Sequence, residues 1–223
     1  MQADAFHQLL LARRSVRGFK PELVSRETLR RVFTAAQQAP SNCNVQPWGV
    51  HVVSGEVAHR VRDILSDHVL SGGPASPDFE HEGGYPGVYR ERQIGSARAL
   101  FTATGVARED TAARNASMFR NFRFFDAPHA AFIFMPAWGS YREACDCGMY
   151  AQSLMLALVA EGLGSCAQGA LAHHAALVRR ELGVGDDLRL LFGISFGYPD
   201  DDHPANAVRT DRAALDATTT FHE

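Results

Sequence analysis

Residues 39–48 read Ala-Pro-Ser-Asn-Cys-Asn-Val-Gln-Pro-Trp, so Ser41, Asn42, Asn44 and Gln46 stand between Pro40 and Pro47. Each proline fixes its own φ and removes a backbone donor. The stretch therefore reads as a loop of set shape, rich in neutral hydrogen-bonding groups. Upstream, residues 12–17 read Ala-Arg-Arg-Ser-Val-Arg and crowd Arg13, Arg14, Arg17 and the Ser15 hydroxyl into a compact anion site. Forked guanidiniums beside a hydroxyl suit phosphate. A phosphate-bearing heteroaromatic cofactor would use both segments, which points to a small-molecule enzyme rather than a binding module.

The elements around the loop are regular. Ser25 is a plausible N-cap for a helix whose Leu29, Val32, Phe33 and Ala36 share one face and which Pro40 stops. Beyond the loop, residues 49–54 alternate as a strand, and Val57, Val61, Ile64 and Leu65 mark another helix. Residues 6–12 read as the end of a first helix. Residues 71–87 carry Gly72, Gly73, Pro74, Pro77, Gly83, Gly84, Pro86 and Gly87, too many breakers for a regular element. With Tyr85 and Tyr89 at its end, this stretch is either a lid that stacks on a flat ligand or a mobile surface loop. Polar helical sequence follows to about residue 122. Residues 130–135 and 188–196 read as buried strands. Residues 146–161 read as a helix apolar nearly all round, central or at a subunit interface, with Gly162 and Gly164 ending it. The tail after Pro204 has no amphipathic helix but carries Arg209, Arg212 and Phe221. No repeat or linker interrupts the chain, so one α+β domain over 1–223 is expected.

Composition narrows the function. The 223 residues are 46% hydrophobic with a formal charge of −3, which gives no reason to expect nucleic acid or a polybasic membrane contact. The longest apolar run, 154–160, is too short to span a bilayer, and no leader follows Met1, so a cytoplasmic location is expected. The four cysteines form no Cys-x-x-Cys pair and no zinc spacing, and His173 and His174 are adjacent, so no metal site is expected.

Two motifs invite enzyme readings. Residues 162–169 brush a dinucleotide fingerprint but follow a helix and space their glycines wrongly. Gly193-Ile-Ser-Phe-Gly197 matches a nucleophile elbow, which would make Ser195 a hydrolase nucleophile. That elbow needs a helix directly after the serine, whereas Pro199 and three aspartates follow here.

The chain resembles the FMN-dependent nitroreductase family. The resemblance rests on Arg-Arg-Ser-Val-Arg, on Ala-Pro-Ser-Asn-x-Asn-x-Gln-Pro-Trp before a strand, on the 146–161 helix running into Gly-Leu-Gly-Ser, and on the Arg-bearing tail. Tyr-Arg-Glu-Arg at 89–92 and Phe-Phe-Asp-Ala-Pro at 124–128 bring it nearest to the nitrobenzoate and dinitroaniline reductase branch. The resemblance implies a three-layer α/β/α sandwich with a mainly antiparallel central sheet, an intertwined homodimer with FMN at the subunit interface, and a lid or insert over 70–125. It implies that NADH or NADPH reduces the flavin and that a small nitroaromatic, or a quinone or enone, reoxidises it. By the same carry-over, Arg13, Arg14 and Ser15 hold the phosphate and ribityl chain, and Arg17 stands at the N1/C2 edge. Arg209 and Arg212 complete the phosphate site. Pro40, Ser41, Asn42, Asn44 and Gln46 come from the other subunit, and Gln168 and Gly169 present backbone N–H groups near N5. A flavin-binding protein without efficient turnover is the remaining alternative. The redox chemistry belongs to the cofactor, so no catalytic side chain is assigned.

Overall fold

The computed structural model describes residues 3–80 and 83–222. Four strands form one sheet in the order β1-β2-β4-β3, namely β1 (Gly49–Ser54), β2 (His129–Pro136), β3 (Gly164–Gln168) and β4 (Leu188–Gly197). Every neighbouring pair is antiparallel. The helices are α1 (Ala3–Ala12), α2 (Arg26–Ala36), α3 (Gly55–Leu70), α4 (Gly87–Ala103), α5 (Thr111–Phe119), α6 (Tyr141–Ala160) and α7 (Ala175–Leu182).

Strand β2 explains the layering. Its side chains alternate, and both faces are buried. Ala130, Phe132 and Phe134 pack with Val61 and Leu65 of α3 and Val178 of α7. Ala131, Ile133 and Met135 pack with Val32 and Ala36 of α2 and Leu154 and Leu158 of α6. A strand covered on both sides reads as a continuous apolar run, which is the pattern of His129–Pro136. The result is the expected α/β/α sandwich. Among the described residues, no helix is long and apolar enough to cross a membrane.

Caps set the helix limits. Ser25 Oγ accepts the Thr28 N–H at 3.1 Å and starts α2 as expected. Helix α6 starts at Tyr141, not at residue 146, because the Glu143 carboxylate accepts the Ser140 N–H at 2.7 Å and hydroxyl at 2.9 Å. The polar stretch before residue 122 is two helices, divided at Gly105 (φ 68°) and restarted by Asp110, whose carboxylate accepts the Ala113 N–H at 2.8 Å. Strand β3 is an addition. The residues read as a helix terminator continue from Gly162 (φ 73°) into an edge strand of small side chains, Gly-Ser-Cys-Ala-Gln. Gly164 is required by close packing, since a Cβ there would lie 2.6 Å from the Val16 side chain.

Candidate active site

Strand β3 carries the arginine cluster. Ser15 bridges Ser165, and the Val16 N–H donates to the Ser165 carbonyl at 2.9 Å. The chain tail is tied to the same segment by Asn206, which is 3% exposed. Its Oδ1 accepts the Arg17 N–H at 2.7 Å, and its Nδ2 donates to the carbonyls of Gly18 and Asp200, both at 2.8 Å. Residues nearly two hundred positions apart therefore meet, and Arg13, Arg14, Ser15, Arg209, Thr210 and Arg212 line one cavity of about 210 Å³. Asn206 carries no motif of its own. Its only signal in the sequence is a polar residue just ahead of the tail arginines.

The electrostatics of this cavity call for an anion. Burial, and then the nearby Arg212, push the Arg13 guanidinium below its ordinary value. Burial and then Arg14 do the same to Arg209. Arg14 pairs with Asp201 at 3.4 Å, but that carboxylate is largely exposed, and the Arg14 Nε is buried without a partner. Arg209 and Arg212 donate to backbone carbonyls of their own segment. Crowded cations with an orphaned buried donor fit a phosphate monoester, which brings charge and acceptors together.

A second, larger cavity of about 600 Å³ adjoins the first, with Arg17 and Ser96 lining both. Tyr85, Tyr89, Met118, Asn121, Phe125 and Ala167 are among the residues that line it. Phe124, Phe125 and Asp126 all take positive φ (55°, 53° and 63°). Non-glycine residues take that conformation at a cost of about 1–2 kcal/mol each. The turn is braced by Asp126, paired with Arg123 at 3.1 Å and Arg120 at 3.6 Å. It places the Phe125 ring under two guanidiniums, Arg17 at 5.9 Å and Arg120 at 5.7 Å. Helix α4 supplies Tyr89, Arg92, Ser96 and Ala97 to the cleft, of which Tyr89 and Arg92 belong to the 89–92 motif and Ser96 and Ala97 carried no signal in the sequence.

The other expected site residues lie elsewhere. The 40–46 loop lines neither cavity of its own chain. It rests on α6, with the Asn42 N–H donating to Asp146 Oδ2 at 3.1 Å and the Gln46 N–H to Ser41 Oγ at 2.9 Å. Cys43, Asn44 and Gln46 take positive φ there. Gln168 ends β3 with its side chain turned into the core at 2% exposure, while Gly169 beside it is exposed. The first half of the 71–87 stretch is docked on the body of the domain. Asp78 accepts hydrogen bonds from Arg179, from the Leu190 N–H at 2.7 Å and, through its carbonyl, from Arg189. Ser195 as a hydrolase nucleophile is overturned. It lies mid-strand in β4, fully buried, and its hydroxyl donates to Gln168. Among the described residues, no group of three or more His, Cys, Asp or Glu is placed to hold a metal ion.

Comparison with known proteins places the chain in a family. The model of the Nitroreductase family matches residues 10–198. The nitroreductase NfnB of Mycolicibacterium smegmatis is 44% identical over 98% of this chain and 93% of its own. The 4-nitrobenzoate reductase of a Nocardioides species is 31% identical over 98% of this chain and 90% of its own. A crystal structure of the FMN-dependent nitroreductase NfnB from Mycobacterium smegmatis in complex with NADPH superposes with a TM-score of 0.96, at 42% identity over 100% of both chains.

Proposed function

The chain belongs to the nitroreductase family, and from that premise we propose that it is an FMN-dependent oxidoreductase that uses NAD(P)H to reduce nitroaromatic compounds in the cytoplasm. The observation that carries this reading is the union of an arginine-lined anion cavity with an aromatic cleft through Arg17 and Ser96. A flat heteroaromatic bearing a phosphate matches that shape and charge. When bound, FMN supplies the two-electron redox chemistry.

The chain's own residues hold and orient it. Arg13, Arg14 and Ser15, with Arg209 and Arg212 from the tail, grip the phosphate. Arg17, fixed by the Asn206 bond to its N–H, stands at the N1/C2 edge. Gln168 and Gly169 offer backbone N–H groups at the end of β3. Pro40, Ser41, Asn42, Asn44 and Gln46 reach the cofactor of a partner subunit in a homodimer. That assignment is supported by their lining neither cavity of their own chain and by the exposed apolar side chains of α1. Tyr85 and Tyr89, in the 70–125 lid over the cleft, stack on the aromatic substrate. One cleft admits the nicotinamide and then the oxidant in turn, so turnover is ping-pong.

Initial rates measured over a grid of NADPH and 4-nitrobenzoate concentrations test this. Parallel double-reciprocal lines are expected. Intersecting lines, or no NADPH consumption, would contradict it.

A further inference from the structure

Gly193-Ile-Ser-Phe-Gly197 has no part in the chemistry proposed above, yet its hydroxyl is held in a defined way. Ser195 is fully buried and donates to Gln168 Oε1, while Gln168 Nε2 donates to the Asn121 backbone carbonyl at 2.9 Å and approaches its Oδ1 at 3.3 Å. A backbone carbonyl only accepts, so the amide nitrogen of Gln168 must face Asn121. Its oxygen must then face Ser195, whose hydroxyl is left as the donor. Buried as they are, neither group has water as an alternative partner. Asn121 completes the chain by donating Nδ2 to the Met118 carbonyl at 2.9 Å. Met118, Asn121 and Ala167, the last next to Gln168, all line the large cleft. The flanking glycines serve the same packing. A Cβ at Gly193 would lie 2.4 Å from Leu171, and one at Gly197 would lie 2.9 Å from Pro128.

We propose that Ser195 is a positioning residue: it orients the Gln168 amide, and through that amide fixes the Asn121 turn and so the width of the cleft that receives the aromatic oxidant. This rests on reading the cleft as the oxidant site. The arrangement also selects a carboxamide at position 168, because a carboxylate would set a second acceptor against the Asn121 carbonyl.

The test uses the FMN-loaded enzyme with 4-nitrobenzoate as oxidant at saturating NADPH. Ser195→Ala should raise KM for the oxidant about fivefold, equivalent to the roughly 1 kcal/mol of one buried hydrogen bond. At saturating oxidant, kcat and FMN content should stay near those of the parent. Asn121→Ala should raise KM similarly, and the double variant should show no further rise, because the two act through one path. Ser195→Cys keeps a weak donor at similar volume and should fall between parent and Ser195→Ala. It carries the test alone if the alanine variant does not fold. A purely structural role would lower kcat and FMN content together and leave KM unchanged. That result, or additive KM effects, would overturn the proposal. A parent enzyme that binds FMN and turns over, with variants of unchanged KM, removes this inference alone. A parent that does not turn over removes the functional reading and the inference with it.

Discussion

Arg13 shares its cavity with Arg14, Arg209 and Arg212, a crowding of cations that an anion would relieve. Its proton is already loosened by burial and by Arg212. Arg13→Ala should weaken FMN binding by about 1.5–3 kcal/mol, the range for hydrogen bonds to charged groups. Riboflavin, which lacks the phosphate, should bind both proteins equally in a fluorescence titration. Equal loss for the two ligands would show that Arg13 supports the fold rather than the phosphate. That the 13–17 cluster and the tail arginines share one cavity was legible in the sequence, because crowded charges beside a hydroxyl suit a common anion. Asn206 was not, since its role depends on a tail that returns to residues 17 and 18. Nor was the inward turn of Gln168, because its partners Ser195 and Asn121 come from distant segments.

At the scale of elements, long periodic segments were legible and short ones without β-branched residues were not. Helix α2 declares itself by periodicity and strands β2 and β4 by their apolar runs, whereas β3 is an edge strand of small residues that its partner β4 defines. One histidine couples several of these elements. His129 opens β2, is 1% exposed, and accepts the Val24 N–H on Nε2 at 2.9 Å. Its proton must then sit on Nδ1, which meets the end of β1 at Ser54 Oγ, 2.7 Å away. Burial pushes this imidazole down to about 4, against roughly 6.5 in the unfolded chain. The unfolded state therefore binds the extra proton first as pH falls. The contribution is fully present above about pH 6.5 and is lost progressively down to pH 4, on the order of 3 kcal/mol in all. Urea midpoints should fall across that window for the parent, and less for His129→Gln, which keeps an acceptor but does not titrate. Equal slopes in the two proteins would refute the assignment.

The whole molecule leaves apolar surface that a single chain does not cover. Helix α1 buries none of its residues, and Phe6, Leu10 and Leu11 on it are exposed, as are Val45, Met149, Leu215 and Phe221. Phe6 and Leu10, one turn apart on α1, share a face, and contiguous apolar exposure marks interfaces. The loop offering Ser41, Asn42, Asn44 and Gln46 also lines neither cavity of its own chain. Both observations support a homodimer in which each cofactor site is completed by the partner. The most direct measurement is sedimentation velocity of the purified protein at micromolar concentration, followed in the visible absorption band of the flavin. The account predicts a single yellow species at the mass of two chains, carrying one FMN per chain. Colourless protein, or a flavin-loaded species at the mass of one chain, would contradict it.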